Sequence, residues 1–172
     1  MGMVDINVSM GELEVTDNRQ AVLTTFVGSC VALCLYDPCS KVGSMAHIML
    51  PDSGKDASAS TTINTPQPSV NNAKYADLAL ANAVRAMAAK GASPSKLVAK
   101  IAGGAKIFSH EGSEDMFAIG TRNAESVREL LRGMGIKVLG EDVGQTQGRW
   151  VRFDIDSGRV RVTRRGKEEK VL

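Results

Sequence analysis

All three cysteines of the chain, and one of its two histidines, fall between Thr24 and Leu50, in the stretch TTFVGSCVALCLYDPCSKVGSMAHIML. Three kinds of chemistry fit such a stretch. The thiols and the imidazole could hold a metal, a thiolate could act as nucleophile with the histidine as its base, or the thiols could be small apolar side chains in a core. The metal reading is the weakest. A zinc ribbon or finger begins with closely spaced ligands on a turn, whose side chains converge. Cys30 and Cys34 fall on a strand instead, and no metal is expected.

The other two readings turn on register. If Pro38-Cys39 forms a two-residue turn, Asp37 pairs with Ser40 and Cys30 lies directly opposite His47. Side chains so paired have Cβ atoms about 4.5–5.5 Å apart on one face, close enough to share a proton. A slip of one residue would put them on opposite faces, and a longer turn is the alternative. Gly28 permits unusual backbone angles ahead of Cys30, and exposed amides at Gly28-Ser29 could serve an oxyanion. Against this, a free cysteine is most often a small buried hydrophobe, a reading that fits Cys34 best because Val31 to Leu35 is apolar throughout. Cys39 reads as an exposed turn residue. His47, alone in SMAHIMLP, would be a satisfied core histidine; facing a cysteine it becomes a candidate base.

The elements that must position these groups are legible in outline. Val4 to Val15 reads as a strand, Ala21 to Val27 leads into the cysteine stretch, and Val31 to Tyr36 reads as a strand covered on both sides. Val42 to Leu50 is a further strand, stopped by Pro51. Residues 52–73 are polar, rich in Ser, Thr and Asn, and read as a flexible loop. A helix from about Lys74 to Lys90, capped by Asn71 or Asn72 and ended by Gly91, carries the apolar stripe Leu78, Leu80, Ala81, Val84, Met87. Leu97 to Phe108 reads as a strand bent at Gly103-Gly104. A second helix is expected from about Asn123 to Arg132, with Asn123 at its start. Ile136 to Leu139 is a strand, and Trp150 to Ile155 and Arg159 to Thr163 form a hairpin. Many strands, two helices and no βαβ rhythm predict a mixed α/β layered fold, one domain over residues 1–172 with a tail at 164–172.

Composition narrows the function classes. With 21 basic and 19 acidic residues, the net charge of +2 is too balanced to indicate nucleic acid or an anionic membrane. Arg159, Arg161, Arg164, Arg165 and Lys167 read as a solvated strand face and tail. No apolar run approaches the roughly 18 residues of a membrane span, and no basic start followed by an apolar run marks a secretory signal. Met1-Gly2 does not open a myristoylation motif, since Ile6 stands where Ser or Thr is needed. An odd number of cysteines without an export signal suggests reduced thiols in the cytoplasm.

TTFVGSCVALCLYDP followed by KVGSMAHIMLPDS resembles the CheD family of chemoreceptor glutamine deamidases. The resemblance continues in KYADLAL, KIAGGAKIF and AIGTRNAESVRELL, roughly over residues 5 to 145. It implies a layered sandwich of mostly antiparallel or mixed β-sheet flanked by helices, like the deamidase domain of cytotoxic necrotizing factor toxins. It also implies Cys30 as nucleophile, His47 as general base and Thr24, six residues before the cysteine, as the third catalytic residue. Backbone at Gly28 and Ser29 would line the site, and no cofactor is implied. The implied substrates are glutamines on the helical cytoplasmic region of chemoreceptors, with glutamate methyl esters as a side activity. The implied partner is a CheC-type phosphatase, and contact with the membrane would come only through receptors. The sequence departs slightly at Phe26-Val27 and Gly43-Ser44, where the family often has Leu-Gly and Gly-Gly. The rival expectation is a binding module for receptors or the phosphatase, with idle catalytic residues.

Overall fold

Every residue from Val31 to Asp37 is buried, although alternate side chains of a strand point to opposite faces. Such a strand needs cover on both sides, and the fold supplies it. The protein is described by a computed structural model covering residues 2–54, 72–106 and 114–172, with backbone only at 114–117. Most of the polar segment 52–73, Asn71, and the end of the stretch expected as strand to Phe108 lie outside the described residues. Among the described residues the strands are β1 (Val4–Asn7), β2 (Leu13–Thr16), β3 (Ala21–Val27), β4 (Val31–Asp37), β5 (Val42–Ile48), β6 (Val98–Gly103), β7 (Lys137–Val143), β8 (Arg149–Asp154), β9 (Val160–Thr163) and β10 (Lys170–Val171). The helices are α1 (Ala76–Ala89) and α2 (Glu114–Gly133).

The strands form two five-stranded sheets, β1-β3-β8-β9-β10 and β2-β5-β4-β6-β7. Each mixes parallel and antiparallel pairs, β1 with β3 and β6 with β7 being parallel. Both helices pack on the second sheet, and the first sheet covers its other face. The chain is therefore the expected mixed α/β layered fold: helices, sheet, sheet. The two faces of β4 sort by parity. Val31, Leu33 and Leu35 meet the helices, while Ala32, Cys34 and Tyr36 meet the other sheet. Each fully buried Val or Leu here is worth about 1.5–3 kcal/mol of transfer free energy, so β4 is the strand the rest assembles around.

Three expectations are corrected. The reading of Val4 to Val15 as one strand fails because the segment changes sheets. β1 pairs with β3, and β2 pairs with β5, with an Asn7–Glu12 bend between them that holds Ser9 N–H on the Glu12 carboxylate at 2.9 Å. Helix α2 begins at least nine residues before Asn123, which puts Asn123 inside it and not at its start. Tyr75, not an asparagine, precedes α1, with no side-chain cap bond.

The β4–β5 hairpin also closes differently. Asp37 pairs with Val42, so the turn holds four residues, Pro38 to Lys41, the longer alternative to the two-residue turn on which the register was reckoned. The reason is local. The Asp37 carboxylate accepts the Cys39 N–H at 2.8 Å, its carbonyl accepts the Lys41 N–H at 2.9 Å, and Lys41 takes the left-handed conformation at φ 61°. An Asx turn of this kind outcompetes the tight two-residue turn.

Candidate active site

The wider turn shifts the register by two residues. His47 lies opposite Ala32, and Cys30 sits one residue before β4 begins. A shift of two preserves the face, since the side-chain period is two. Cys30 and His47 are therefore diagonal neighbours on the side of the second sheet that faces the first. Cys30 packs at the edge of the inter-sheet core, half-buried, and His47 is buried there. Diagonal pairs are within reach of long side chains such as histidine.

The imidazole is held from the opposite sheet. Thr25 Oγ1 lies 2.8 Å from His47 Nδ1, and the same hydroxyl donates to Val8 O at 2.7 Å. A hydroxyl has one proton, and with that proton on Val8 it accepts from the ring. Nδ1 then carries the ring hydrogen and Nε2 is the basic nitrogen. Burial lowers the His47 pKa below its ordinary value, more than Val8 O and the Glu12 charge raise it, so the ring is neutral near neutral pH. The backbone of His47 is pinned as well, its carbonyl accepting from Gly11 N–H and its N–H donating to Glu12 O, both at 2.9 Å.

Thr24 does not join this group. It lies on the other face of β3, half-buried, with Oγ1 3.4 Å from Ile6 O. Adjacent strand residues point oppositely, so moving by one from Thr25 to Thr24 turns the hydroxyl away from the imidazole. Sequence alternation could not choose between them, because β3 has apolar residues on both faces, Val22 and Phe26 on one and Leu23 and Val27 on the other.

The loop carrying the thiol is tied down by its carbonyls. Gly28 O accepts from Ala105 N–H at 2.8 Å, Cys30 O from Gly104 N–H at 2.8 Å, and Ser29 O from Asn123 Nδ2 at 3.0 Å. Gly103 and Gly104, with φ of 121° and 63°, make this possible; a Cβ on Gly103 would stand 2.2 Å from Cys30 O. Across a trans peptide, N–H and C=O point in opposite directions. With the Gly28 and Ser29 carbonyls turned to the scaffold, the Ser29 and Cys30 amides face the other way, and neither donates to another backbone group among the described residues.

Asn123, read from sequence as a helix start in preference to a residue lining the site, is hydrogen-bonded to the cysteine loop. It is fully buried, and its Nδ2 also donates to Met49 O at 2.9 Å. One amide thus joins the cysteine loop to the segment just after His47, while its Oδ1 has no partner among the described residues. Nothing in the local sequence marks it, since the role arises only when α2 crosses the ends of β4 and β5.

The cysteines differ sharply in chemistry. Burial raises the Cys30 thiol above its ordinary value, partly offset by its own amide, so at neutral pH it is a thiol that needs a base. Cys34 is fully buried and its pKa is pushed up to about 12, which leaves it inert. Cys39 is exposed in the turn at the far end of β4. Among the described residues no three His, Cys, Asp or Glu side chains gather as metal ligands. Among the described residues no helix is long and apolar enough to cross a membrane.

The chain matches the family described as CheD chemotactic sensory transduction over residues 49–164, a span that starts just after His47. Full-length relatives extend the match across the cysteine loop. A chemoreceptor glutamine deamidase CheD of Thermotoga maritima is 40% identical over 95% of this chain and 94% of its own. A probable one of Desulfitobacterium hafniense is 41% identical over 97% and 98%. Another, of Archaeoglobus fulgidus, is 43% identical over 92% of both. With likeness of this extent on either side of the Cys30–His47 pair, the chain belongs to the CheD family.

Proposed function

We propose that the protein hydrolyses glutamine side chains of chemoreceptor cytoplasmic helices to glutamate, with Cys30 as nucleophile and His47 as base. The observation that carries this reading is the Thr25–His47 bond. It fixes a neutral, buried imidazole on the face that also carries Cys30, with Nε2 as the basic nitrogen. The names of the curated relatives supply the substrate class.

The steps follow from the residue types. His47 Nε2 takes the Cys30 proton, and the thiolate attacks the carboxamide carbon. The Ser29 and Cys30 amides receive the developing oxyanion. The imidazolium returns its proton to the amide nitrogen, ammonia leaves, and a thioester remains. A water, deprotonated by the same ring, attacks the thioester; the acyl–sulfur bond breaks, and glutamate and the free thiol form. A glutamate methyl ester would give the same thioester with methanol as leaving group, which supports a methylesterase side activity. Docking to a CheC-type phosphatase and a cytoplasmic location rest on the family resemblance and accompany this proposal. Mass spectrometry of a purified receptor cytoplasmic fragment tests it: each converted glutamine becomes heavier by about one mass unit, since NH2 is replaced by OH in the hydrolysis. An unchanged fragment after prolonged incubation refutes the reading.

Two residues act through others. Thr25→Val strips His47 Nδ1–H and Val8 O of a buried partner, a loss of about 1–3 kcal/mol. We expect kcat to fall about tenfold, corresponding to about 1.4 kcal/mol, with KM unchanged. Thr24→Val should leave kcat within about twofold, because its hydroxyl faces away from the ring. Equal losses in the two variants would remove Thr25 from the site. Asn123→Leu removes the donors of both the Ser29 and Met49 carbonyls. It should lower unfolding free energy by about 2 kcal/mol or more and slow alkylation of Cys30 by iodoacetamide. A variant that loses stability but alkylates at the wild-type rate would make Asn123 purely a core residue.

A further inference from the structure

Among the described residues no helix covers the outer face of the first sheet, yet two of its largest side chains are aromatic. Phe26 on β3 is 49% exposed and Trp150 on β8 is 56% exposed. They are paired across the strands and stacked edge to face, with ring centroids 5.2 Å apart. They line a groove of about 740 Å³ whose other wall is the 163–167 segment. Gly148 forms part of the lining, and a Cβ there would stand 2.4 Å from the Phe26 ring, so the ring lies directly on backbone. The lining includes Arg164, Arg165 and Lys167 and no carboxylate. Arg164 is engaged by Asp142 and Gln145. Arg165 and Lys167 are exposed and have no ion-pair partner among the described residues.

This surface adjoins the cysteine loop. Phe26 is four residues before Cys30, so their Cα atoms are at most about 14 Å apart, under three turns of an α-helix. Gln145, which Arg164 of the groove engages, is joined toward the same loop through backbone hydrogen bonds of neighbouring residues. Lys106 N–H donates to Gln145 O at 2.7 Å, and Ala105 N–H donates to Gly28 O at 2.8 Å. Phe26 lies near the end of β3 that leads into the cysteine loop, on the outer face, while Cys30 packs at the edge of the inter-sheet core, so a polypeptide that reaches both must turn around that end of the first sheet. An exposed aromatic pair with unpaired cations and no anions fits a segment that offers one apolar side chain and flanking carboxylates.

We propose that this groove docks an acidic segment of the same polypeptide whose glutamine meets Cys30, with Arg165 and Lys167 engaging its carboxylates and the Phe26–Trp150 pair its apolar side chain. The inference rests on the catalytic reading of Cys30, but its test does not need turnover. Trp150 is the chain's one tryptophan, so its emission reports occupancy of the groove directly. With the Cys30→Ala protein and a receptor cytoplasmic fragment, emission should shift to the blue and saturate. The apparent affinity should weaken about tenfold when salt is raised from about 0.05 to about 0.5 M. The double substitution Arg165→Glu/Lys167→Glu should abolish the shift. In protein with Cys30 intact it should raise KM for the fragment about tenfold or more, with kcat within about twofold and an unchanged unfolding midpoint. Trp150→Ala should raise KM in the same way. A fragment that is deamidated while emission and KM ignore these substitutions overturns the docking proposal and leaves Cys30 catalysis standing. A salt-sensitive emission shift without any deamidation has the opposite meaning: the groove holds and the catalytic reading fails. A shift with phosphatidylserine vesicles but none with the fragment would assign the face to a membrane and overturn the proposal.

Discussion

Replacing Cys30 by alanine is expected to lower glutamine conversion by at least about 10⁴-fold, as loss of a nucleophile does in triad hydrolases. Cys34→Ala and Cys39→Ala should keep their activity. Cys34 is sealed between the sheets with its thiol pushed up to about 12, and Cys39 sits in the turn at the far end of β4. His47→Ala should cost at least about 10²-fold, the usual contribution of a general acid–base. The pH dependence follows from the two directions of shift. His47 titrates below its ordinary value of 6.5, so the base stays neutral into mildly acidic solution and activity falls only as pH drops through that lowered pKa. Cys30 titrates above its ordinary 9.0, so the resting pair is thiol and neutral imidazole rather than an ion pair. In His47→Ala, alkylation of Cys30 by iodoacetamide should therefore rise about tenfold per pH unit through the neutral range, tracking free thiolate. A fast plateau of alkylation near pH 7 in that variant would show a thiolate stabilised by something other than His47. Full activity of Cys30→Ala would refute the nucleophile assignment outright.

The second large effect lies away from the chemistry. Arg149 is the largest fully buried side chain among the described residues, with its guanidinium donating to the Asp142 carboxylate, to Asp142 O at 2.6 Å, and to the carbonyls of Gly144 and Gln147. Its Nε has no partner among the described residues. Burial pulls its pKa down more than the Asp142 charge pushes it up, a sign of how much desolvation the ion bears. Asp142 also faces Arg164 at 3.5 Å and Lys170 at 3.7 Å. Asp142→Ala leaves a buried cation without its counter-ion and should cost about 3–5 kcal/mol. For a chain of this size that lowers the thermal midpoint by about 6–20 °C. Arg149→Met removes the charge along with the donors and should cost less than Asp142→Ala. Asp142→Ala within about 1 kcal/mol of wild type would show that water reaches the guanidinium. The cluster matters to the site because it sets the β7–β8 connection, where Gly144 N–H holds Gly103 O at 2.9 Å beside the cysteine loop.

The parts of this molecule that were legible in sequence are those fixed by local pattern. The apolar run Val31–Leu35 marked a strand covered on both faces, the Asp156-Ser157-Gly158 turn joined β8 and β9, and Gly91 followed α1. Cys30 and His47 were singled out by residue type and by the hairpin between them, even though the turn was two residues longer than the one on which the register was reckoned. The face survived that error because the slip was even. Thr25 was missed because β3 is apolar on both faces, so only its packing against the second sheet shows which threonine turns inward. Asn123 was read as structural, because its partners, Ser29 and Met49, are far away in the chain and meet only where α2 crosses two strands. The two strands read as one between Val4 and Val15 failed for a similar reason, since a change of sheet leaves no mark in alternation.

The hydroxyl that orients the imidazole and the imidazole itself belong to different sheets, with Cys30 at the start of the second. On the proposed roles, reactivity at the thiol is a gauge of how the two layers are seated on one another. A shear of a fraction of an ångström between them stretches the Thr25–His47 bond before it disturbs any strand pairing within a sheet. Enlarging Ala21 or trimming Phe153, both buried between the layers and neither at the thiol, alters that seating through close packing alone. Hydrostatic pressure acts on the same seam by compressing its voids. The inter-sheet core of this protein therefore carries two constraints at once, since side chains that fill space there also set the alignment of Thr25 with the His47 ring.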